Sequence, residues 1–190
     1  MNYYNENASI FFEGTIDVDM SSLYSEFLPY LKSGSLILDA GCGSGRDSKY
    51  FLSKGFEVHA IDASDELAKL AEVQIEQAVE VTTFKDFTTD KAFDAIWACA
   101  SLLHVPFEEL SVSISNLERC LITGGSFYCS FKLGNDEVMR GGRNFTNLNE
   151  ELLDQVLTNT SLRISKAWIT GDARKGREEE KWLNAILIKD

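Results

Sequence analysis

The chain reads as an α/β protein: one doubly wound, seven-stranded sheet, mostly parallel, with helices on both faces and an antiparallel hairpin at its C-terminal end. Three observations predict this. The apolar run Leu36-Ile37-Leu38 ends in Asp39 and is followed by Gly41, Gly43 and Gly45, so a buried strand enters a helix through a loop nearly bare of side chains. Strand-like and helix-like segments alternate from residue 35 to residue 131. Two later strand-like runs, 162–170 and 182–188, are joined by a short polar stretch that suits a hairpin.

The elements follow in order. Tyr4, Ala8, Phe11 and Phe12 fall at helical spacing, which predicts an amphipathic helix over residues 2–13. Asp19 can cap a second helix with Leu23, Phe27, Leu28 and Leu31 on one face, fading at Pro29 and turning at Gly34. Strands are expected at 35–39, 56–61, 80–84, 93–99 and 126–131, the last entered through a turn at Gly124-Gly125. Helices are expected at 45–54, 64–77 and 106–121, then at 148–159 before the final two strands. The 190 residues make one domain, with a helical cap at 1–34, a ligand-binding core at 35–132, and a helix with a strand pair at 133–190.

Composition narrows the partners. The formal net charge of −12 opposes nucleic acid and favours a small-molecule partner. No apolar run approaches the roughly 20 residues that span a bilayer, and no basic-then-apolar leader precedes the first helix, so a cytoplasmic location without membrane contact is expected. Cys42, Cys99, Cys120 and Cys129 form no C-x-x-C pair, and only His59 and His104 could join them, so no metal is expected.

The glycine loop carries the chemistry. Glycines there let a ligand lie against main chain, beside the free N–H groups of the next helix. Asp62 ends the second strand, 17 residues after Gly45, where an acid can receive ribose hydroxyls. A nicotinamide or flavin site would want G-x-G-x-x-G, and Arg46 stands at the sixth position instead. Asp39 would repel a pyrophosphate and suits the ammonium of an amino-acid group.

The five segments Leu38-Asp39-Ala40-Gly41-Cys42-Gly43-Ser44-Gly45, Val58-His59-Ala60-Ile61-Asp62, Lys85-Asp86-Phe87, Phe93-Asp94-Ala95-Ile96-Trp97 and Thr123-Gly124-Gly125-Ser126-Phe127 together resemble the class I S-adenosylmethionine-dependent methyltransferases, in family order and spacing. The resemblance implies a Rossmann-like sheet and S-adenosylmethionine as cofactor. It implies that Gly41 and Gly43, with Asp39, hold the methionine end, and that Asp62, followed by Ala63 and Ser64, holds the ribose. Asp86 and the Phe87 amide would meet the adenine. Ala100 and Ser101 would line the sulfonium end, with Arg46 and Tyr4 beside it.

The order Tyr3-Tyr4, Phe11-Phe12, Gly45-Arg46-Asp47, Ala100-Ser101-Leu102-Leu103-His104 and Arg177 to Asn184 is similar to the small bacterial tellurite-resistance-type or type-11/12 group. Ala98-Cys99-Ala100-Ser101 replaces the Asn/Asp-Pro-Pro-Tyr/Phe motif of enzymes that methylate nucleic-acid amino groups. The expected acceptor is therefore a small molecule, anionic or chalcogen-containing, handled by a monomer or homodimer. His104 is the candidate catalytic base, with a packing histidine as the plain alternative. Arg143, Arg174 and Arg177, with Arg140, are candidates for an anionic substrate, against a simple pairing with the acids at 178–180. A non-catalytic cofactor-binding sensor, and more remotely a nicotinamide oxidoreductase, stand as other readings.

Overall fold

A computed structural model describes residues 2–177 and 179–190; Glu178 of the acidic run lies outside the described residues. Seven strands form one sheet in the order β3-β2-β1-β4-β5-β9-β8. They are β1 (Leu36–Ala40), β2 (Glu57–Asp62), β3 (Val79–Val81), β4 (Phe93–Ala98), β5 (Leu121–Lys132), β8 (Leu162–Gly171) and β9 (Lys181–Lys189). The first five pair in parallel, and β9 runs antiparallel to both β5 and β8. Helices α1 (Asn2–Glu6), α2 (Ala8–Thr15), α3 (Ser21–Phe27), α4 (Arg46–Ser53), α5 (Asp65–Ile75), α6 (Phe107–Glu118) and α7 (Glu150–Leu157) surround it.

Both faces of the central strands are buried, and consecutive residues divide between them as the two-residue strand period requires. Leu38, Ile96 and Phe127 join a core with Leu110, Ile114 and Leu117 of α6 and Leu153 and Val156 of α7. Ile37, Trp97 and Tyr128 face the other way, against Leu23, Tyr24 and Phe27 of α3 and Phe51 of α4. There the Trp97 and Tyr128 rings stack 4.0 Å apart between neighbouring strands. The helix starts are capped as their residue types suggest: Ser64 accepts from the Leu67 amide and Asn149 from that of Leu152.

Four local features depart from the sequence reading. The N-terminal helix breaks at Asn7, whose backbone and side-chain nitrogens both donate to the Tyr3 carbonyl. Strand β3 ends at Val81, short of the expected residue 84, where the Thr82 amide makes the last ladder bond, to the Asp62 carbonyl. Gly124-Gly125 sit inside β5, where the register against β4 jumps from Phe93↔Leu121 to Ala95↔Ser126; a bulge replaces the expected turn. A separate hairpin, β6 (Glu137–Arg140) and β7 (Arg143–Thr146), turns through Gly141 and Gly142, both left-handed as such a two-residue turn requires.

Candidate functional site

The site forms where β1 and β4 end at the carboxyl edge of the sheet. Gly41 has φ +82°, and a Cβ built there would lie 2.5 Å from the Cβ of Ser101. Only a residue without a side chain lets the segment after β4 approach this closely, and Ser101 completes the contact by donating to the Ala40 carbonyl at 2.7 Å. Gly43, at φ +57°, has the Phe11 ring of α2 3.2 Å from its own Cβ position, so the N-terminal helices lie directly on the loop.

Asp62 ties that loop to the next helix. Its carboxylate accepts from the Gly43 amide at 2.9 Å and from the Ser64 amide at 2.8 Å. Burial raises its pKa, and the amides of residues 43, 63 and 64 oppose the rise. The Ser64 hydroxyl donates to the Asn5 side chain at 2.6 Å, so α1 covers the Asp62-Ala63-Ser64 corner.

Asp39 is buried and accepts from the Ser48 hydroxyl at 2.6 Å, which braces the start of α4 from below the loop. Burial, with Asp47 close by, pushes its pKa up to about 8. Asp86 accepts from Thr83 Oγ1 at 2.6 Å, and the Phe87 amide donates to the Thr83 carbonyl at 3.0 Å; both close their own turn.

A cavity of about 990 Å³ opens beside the loop. It is lined by Tyr4, Gly41, Gly43, Arg46, Ala100 and His104 together with Arg140, Arg143, Arg174 and Arg177. Asp39, Asp62, Ala63, Ser64, Asp86, Phe87 and Ser101 stand outside its wall. Ala100 adopts a left-handed φ of +52°, and its amide donates to Ser130 Oγ at 2.8 Å.

Two side chains 100 positions apart meet in the wall. The Tyr4 hydroxyl lies 2.6 Å from His104 Nε2, and His104 Nδ1 lies 2.7 Å from the Asn144 carbonyl on β7. Burial is the main cause that lowers the His104 pKa to about 4, with Arg143 and Lys132 adding to it. The imidazole is therefore neutral near pH 7.

Asp19 lines the cavity with its carboxylate accepting from the Ser21 amide, and the basic groups of the cavity divide into paired and unpaired. Arg46 forks onto Asp47 at 2.6 and 3.0 Å, and the same carboxylate accepts from Tyr24 and Trp97. Arg174 forks onto Asp172, which also accepts from the Trp182 indole, and Lys132 pairs with Glu180. No carboxylate partners the side chains of Arg140, Arg143 or Arg177 among the described residues. Arg143 lies over the rings of Tyr3 at 4.4 Å and Phe145 at 5.0 Å, and its buried Nε has no hydrogen-bond partner among the described residues.

The sequence reading did not find Lys132, Asn144, Phe145 or Asp172. The spacing of Asp172 and Arg174 was the available signal for one pair; the other contacts join residues far apart in the chain.

The family model described as "Methyltransferase domain" matches residues 38–129. An uncharacterized methyltransferase of Staphylococcus carnosus (strain TM300) is 31% identical over 144 residues, covering 71% of this chain and 70% of the relative. A ubiquinone biosynthesis O-methyltransferase of Xanthomonas axonopodis pv. citri is 36% identical over 105 residues, covering 52% of this chain and 43% of the relative; the match thus spans under half of that protein. Among solved structures, the Burkholderia thailandensis 1,6-didemethyltoxoflavin-N1-methyltransferase, crystallised with 1,6-didemethyltoxoflavin and S-adenosylhomocysteine, has a TM-score of 0.76 at 18% identity, covering 99% of this chain and 84% of that one. A TehB-like methyltransferase of Corynebacterium glutamicum has a TM-score of 0.75 at 20% identity and covers both chains fully. These two likenesses establish the fold.

Proposed function

The chain belongs to the class I S-adenosylmethionine-dependent methyltransferases, and from that premise we propose that it methylates a small anionic acceptor bound between the glycine loop and the arginine-bearing loops. The left-handed glycines, with main chain open to the cavity at Gly41 and Gly43, fit the methionine end of the cofactor. Asp62 would take the ribose, with Ala63 and Ser64 beside it, and the Asp86-Phe87 turn would face the adenine. Tyr4, Arg46 and Ala100 would surround the sulfonium end. The bound cofactor supplies a methyl carbon activated by a sulfonium, open to in-line attack by an electron pair of the acceptor.

The observation that carries the acceptor class is the charge around the cavity. In a chain of net charge −12, Arg140, Arg143 and Arg177 line the cavity with no carboxylate partner among the described residues. An oxyanion or carboxylate would supply the missing charge, and guanidinium groups recognise both. A chalcogen oxyanion or an aromatic acid satisfies the same requirement. Named relatives such as the ubiquinone and toxoflavin enzymes support a small-molecule acceptor in general.

Calorimetry with S-adenosylhomocysteine, followed by transfer of labelled methyl to a panel of small anions, tests the reading. Arg143→Ala should raise the acceptor KM at least tenfold while affinity for S-adenosylhomocysteine stays within about threefold. A folded protein that binds no S-adenosylhomocysteine would remove the activity. Binding without turnover across the panel would favour a sensor.

A further inference from the structure

We propose that Tyr4 is the side chain that meets the reacting group of the acceptor, and that His104 positions its hydroxyl and receives its proton. The inference rests on the methyl-transfer reading and deepens it, because it assigns the proton that a hydroxyl or amine acceptor must lose.

The direction of the hydrogen bonds carries the argument. The Asn144 carbonyl can only accept, so His104 Nδ1, 2.7 Å away, bears the ring proton. In the neutral imidazole Nε2 is then an acceptor, and the Tyr4 hydroxyl 2.6 Å away donates to it. The Tyr4 proton is thereby committed to His104, and the phenolic oxygen, with Arg143 as one neighbouring donor, keeps a second lone pair for a donor from the cavity that both residues line. The lone pair of His104 Nε2 is taken by the phenol's proton, so the proton of an acceptor in the cavity passes to the histidine through Tyr4. Next to the phenol lies Arg143, whose guanidinium centre is 5.8 Å from the Tyr4 ring and whose Nε has no protein partner among the described residues. An anion held there brings the rest of the same molecule to the phenol.

The step balances. The acceptor's X–H bond breaks, and its electron pair stays on X to form the new bond to the methyl carbon; the bond from that carbon to sulfur would break in turn, its pair going to the sulfur of the departing S-adenosylhomocysteine. The acceptor's proton passes to the Tyr4 oxygen as the phenol's own proton passes to His104 Nε2. The imidazolium then donates from Nδ1 to Asn144 and from Nε2 to Tyr4. Burial, Arg143 and Lys132 all disfavour the imidazolium, so the proton leaves to water before the next turnover. Among the described residues, Tyr4, Arg143 and Lys132 are the titratable and charged groups that act on the ring, with Asp62 and Tyr3 acting on it through the phenol.

Two measurements test the assignment. The first is a long-range proton–nitrogen NMR spectrum of the protein at pH 7, with His59→Gln to distinguish the only other histidine. His104 should carry its proton on Nδ1 with Nε2 bare. Tyr4→Phe should shift Nε2 without changing the tautomer. A protonated Nε2 in the wild type, or an Nε2 that ignores Tyr4→Phe, overturns the relay.

The second compares labelled methyl transfer to 3,4-dihydroxybenzoate, which must lose a phenolic proton, with transfer to 5-thio-2-nitrobenzoate, already a thiolate at neutral pH. Tyr4→Phe should lower the ratio of the first kcat to the second by about 100-fold, a typical contribution of a placed proton acceptor. His104→Asn should lower the ratio in the same direction. Equal losses on both probes mean a structural role and overturn the assignment. Transfer to neither probe counts against the anionic-acceptor reading, and the imidazole spectrum then decides the relay by itself.

Discussion

Gly41 and Ser101 touch at a distance that leaves no room for a side chain on residue 41. The added Cβ would stand 2.5 Å from the Ser101 Cβ and would have to adopt φ +82°. Gly41→Ala should therefore cost about 2–4 kcal/mol, from overpacking together with a left-handed backbone. Chemical denaturation should show the loss. Affinity for S-adenosylhomocysteine should fall as well, since the same contact shapes the loop. A variant as stable as the wild type would mean that the segment after β4 yields easily.

Asp62 ties the loop, through the Gly43 amide, to the start of α5, through the Ser64 amide, before any ribose is considered. Asp62→Ala should weaken S-adenosylhomocysteine about 10–100-fold, equivalent to about 1.4–2.8 kcal/mol, when titrated by calorimetry. Unchanged affinity would move the sugar contact elsewhere.

Asp47 is a buried carboxylate with four donors: two from Arg46 and one each from Tyr24 and Trp97. Burial by itself raises its pKa; Arg46 and the other donors overcome that and hold it low. Asp47→Ala strips the carboxylate from a half-buried guanidinium and leaves the Tyr24 and Trp97 donors unmet. The expected loss is about 3–5 kcal/mol, read as a lower denaturation midpoint with an unchanged slope. Asp47→Asn, which keeps one acceptor, should lose less.

His104 gives a pH signature with a definite sign. Its pKa is about 4 in the folded chain against the ordinary 6.5. Between those values the unfolded chain binds the proton and the folded chain does not. Stability contributed through this residue is therefore intact above about pH 6.5 and lost as the pH falls toward 4, on the order of 3 kcal/mol in all. Asp39, raised to about 8 by burial and Asp47, slopes the opposite way, so the test is a difference. The stability of wild type minus His104→Asn, measured by denaturation from pH 7 to pH 4, should fall. A flat difference would place the imidazole in contact with water.

The parts of the molecule legible in the sequence were those written in neighbouring residues. The run into Asp39, the spaced glycines and the alternation from residue 35 to 131 fix a parallel sheet, and the last two strands do pair antiparallel. Asp62 does end β2 beside the loop. The hairpin of β6 and β7 was missed because Arg140-Gly141-Gly142-Arg143 reads as a charged loop, although two glycines in sequence are also a hairpin signal. The bulge in β5 was missed because Gly124-Gly125 has the composition of a turn, and only pairing with β4 reveals that the strand has already begun. The contact of Tyr4 with His104, and the joint hold of Tyr24 and Trp97 on Asp47, join distant positions and follow from topology. Their residue types alone could not have paired them.

The placement of β9 bears on how the chain is made. β8 is synthesised first yet occupies the rim, while β9, synthesised later, must slot between β8 and β5. Until residues 181–189 have emerged from the ribosome, β5 exposes an open row of amides and carbonyls to any passing strand. A nascent chain halted before residue 181 should accordingly be prone to self-association.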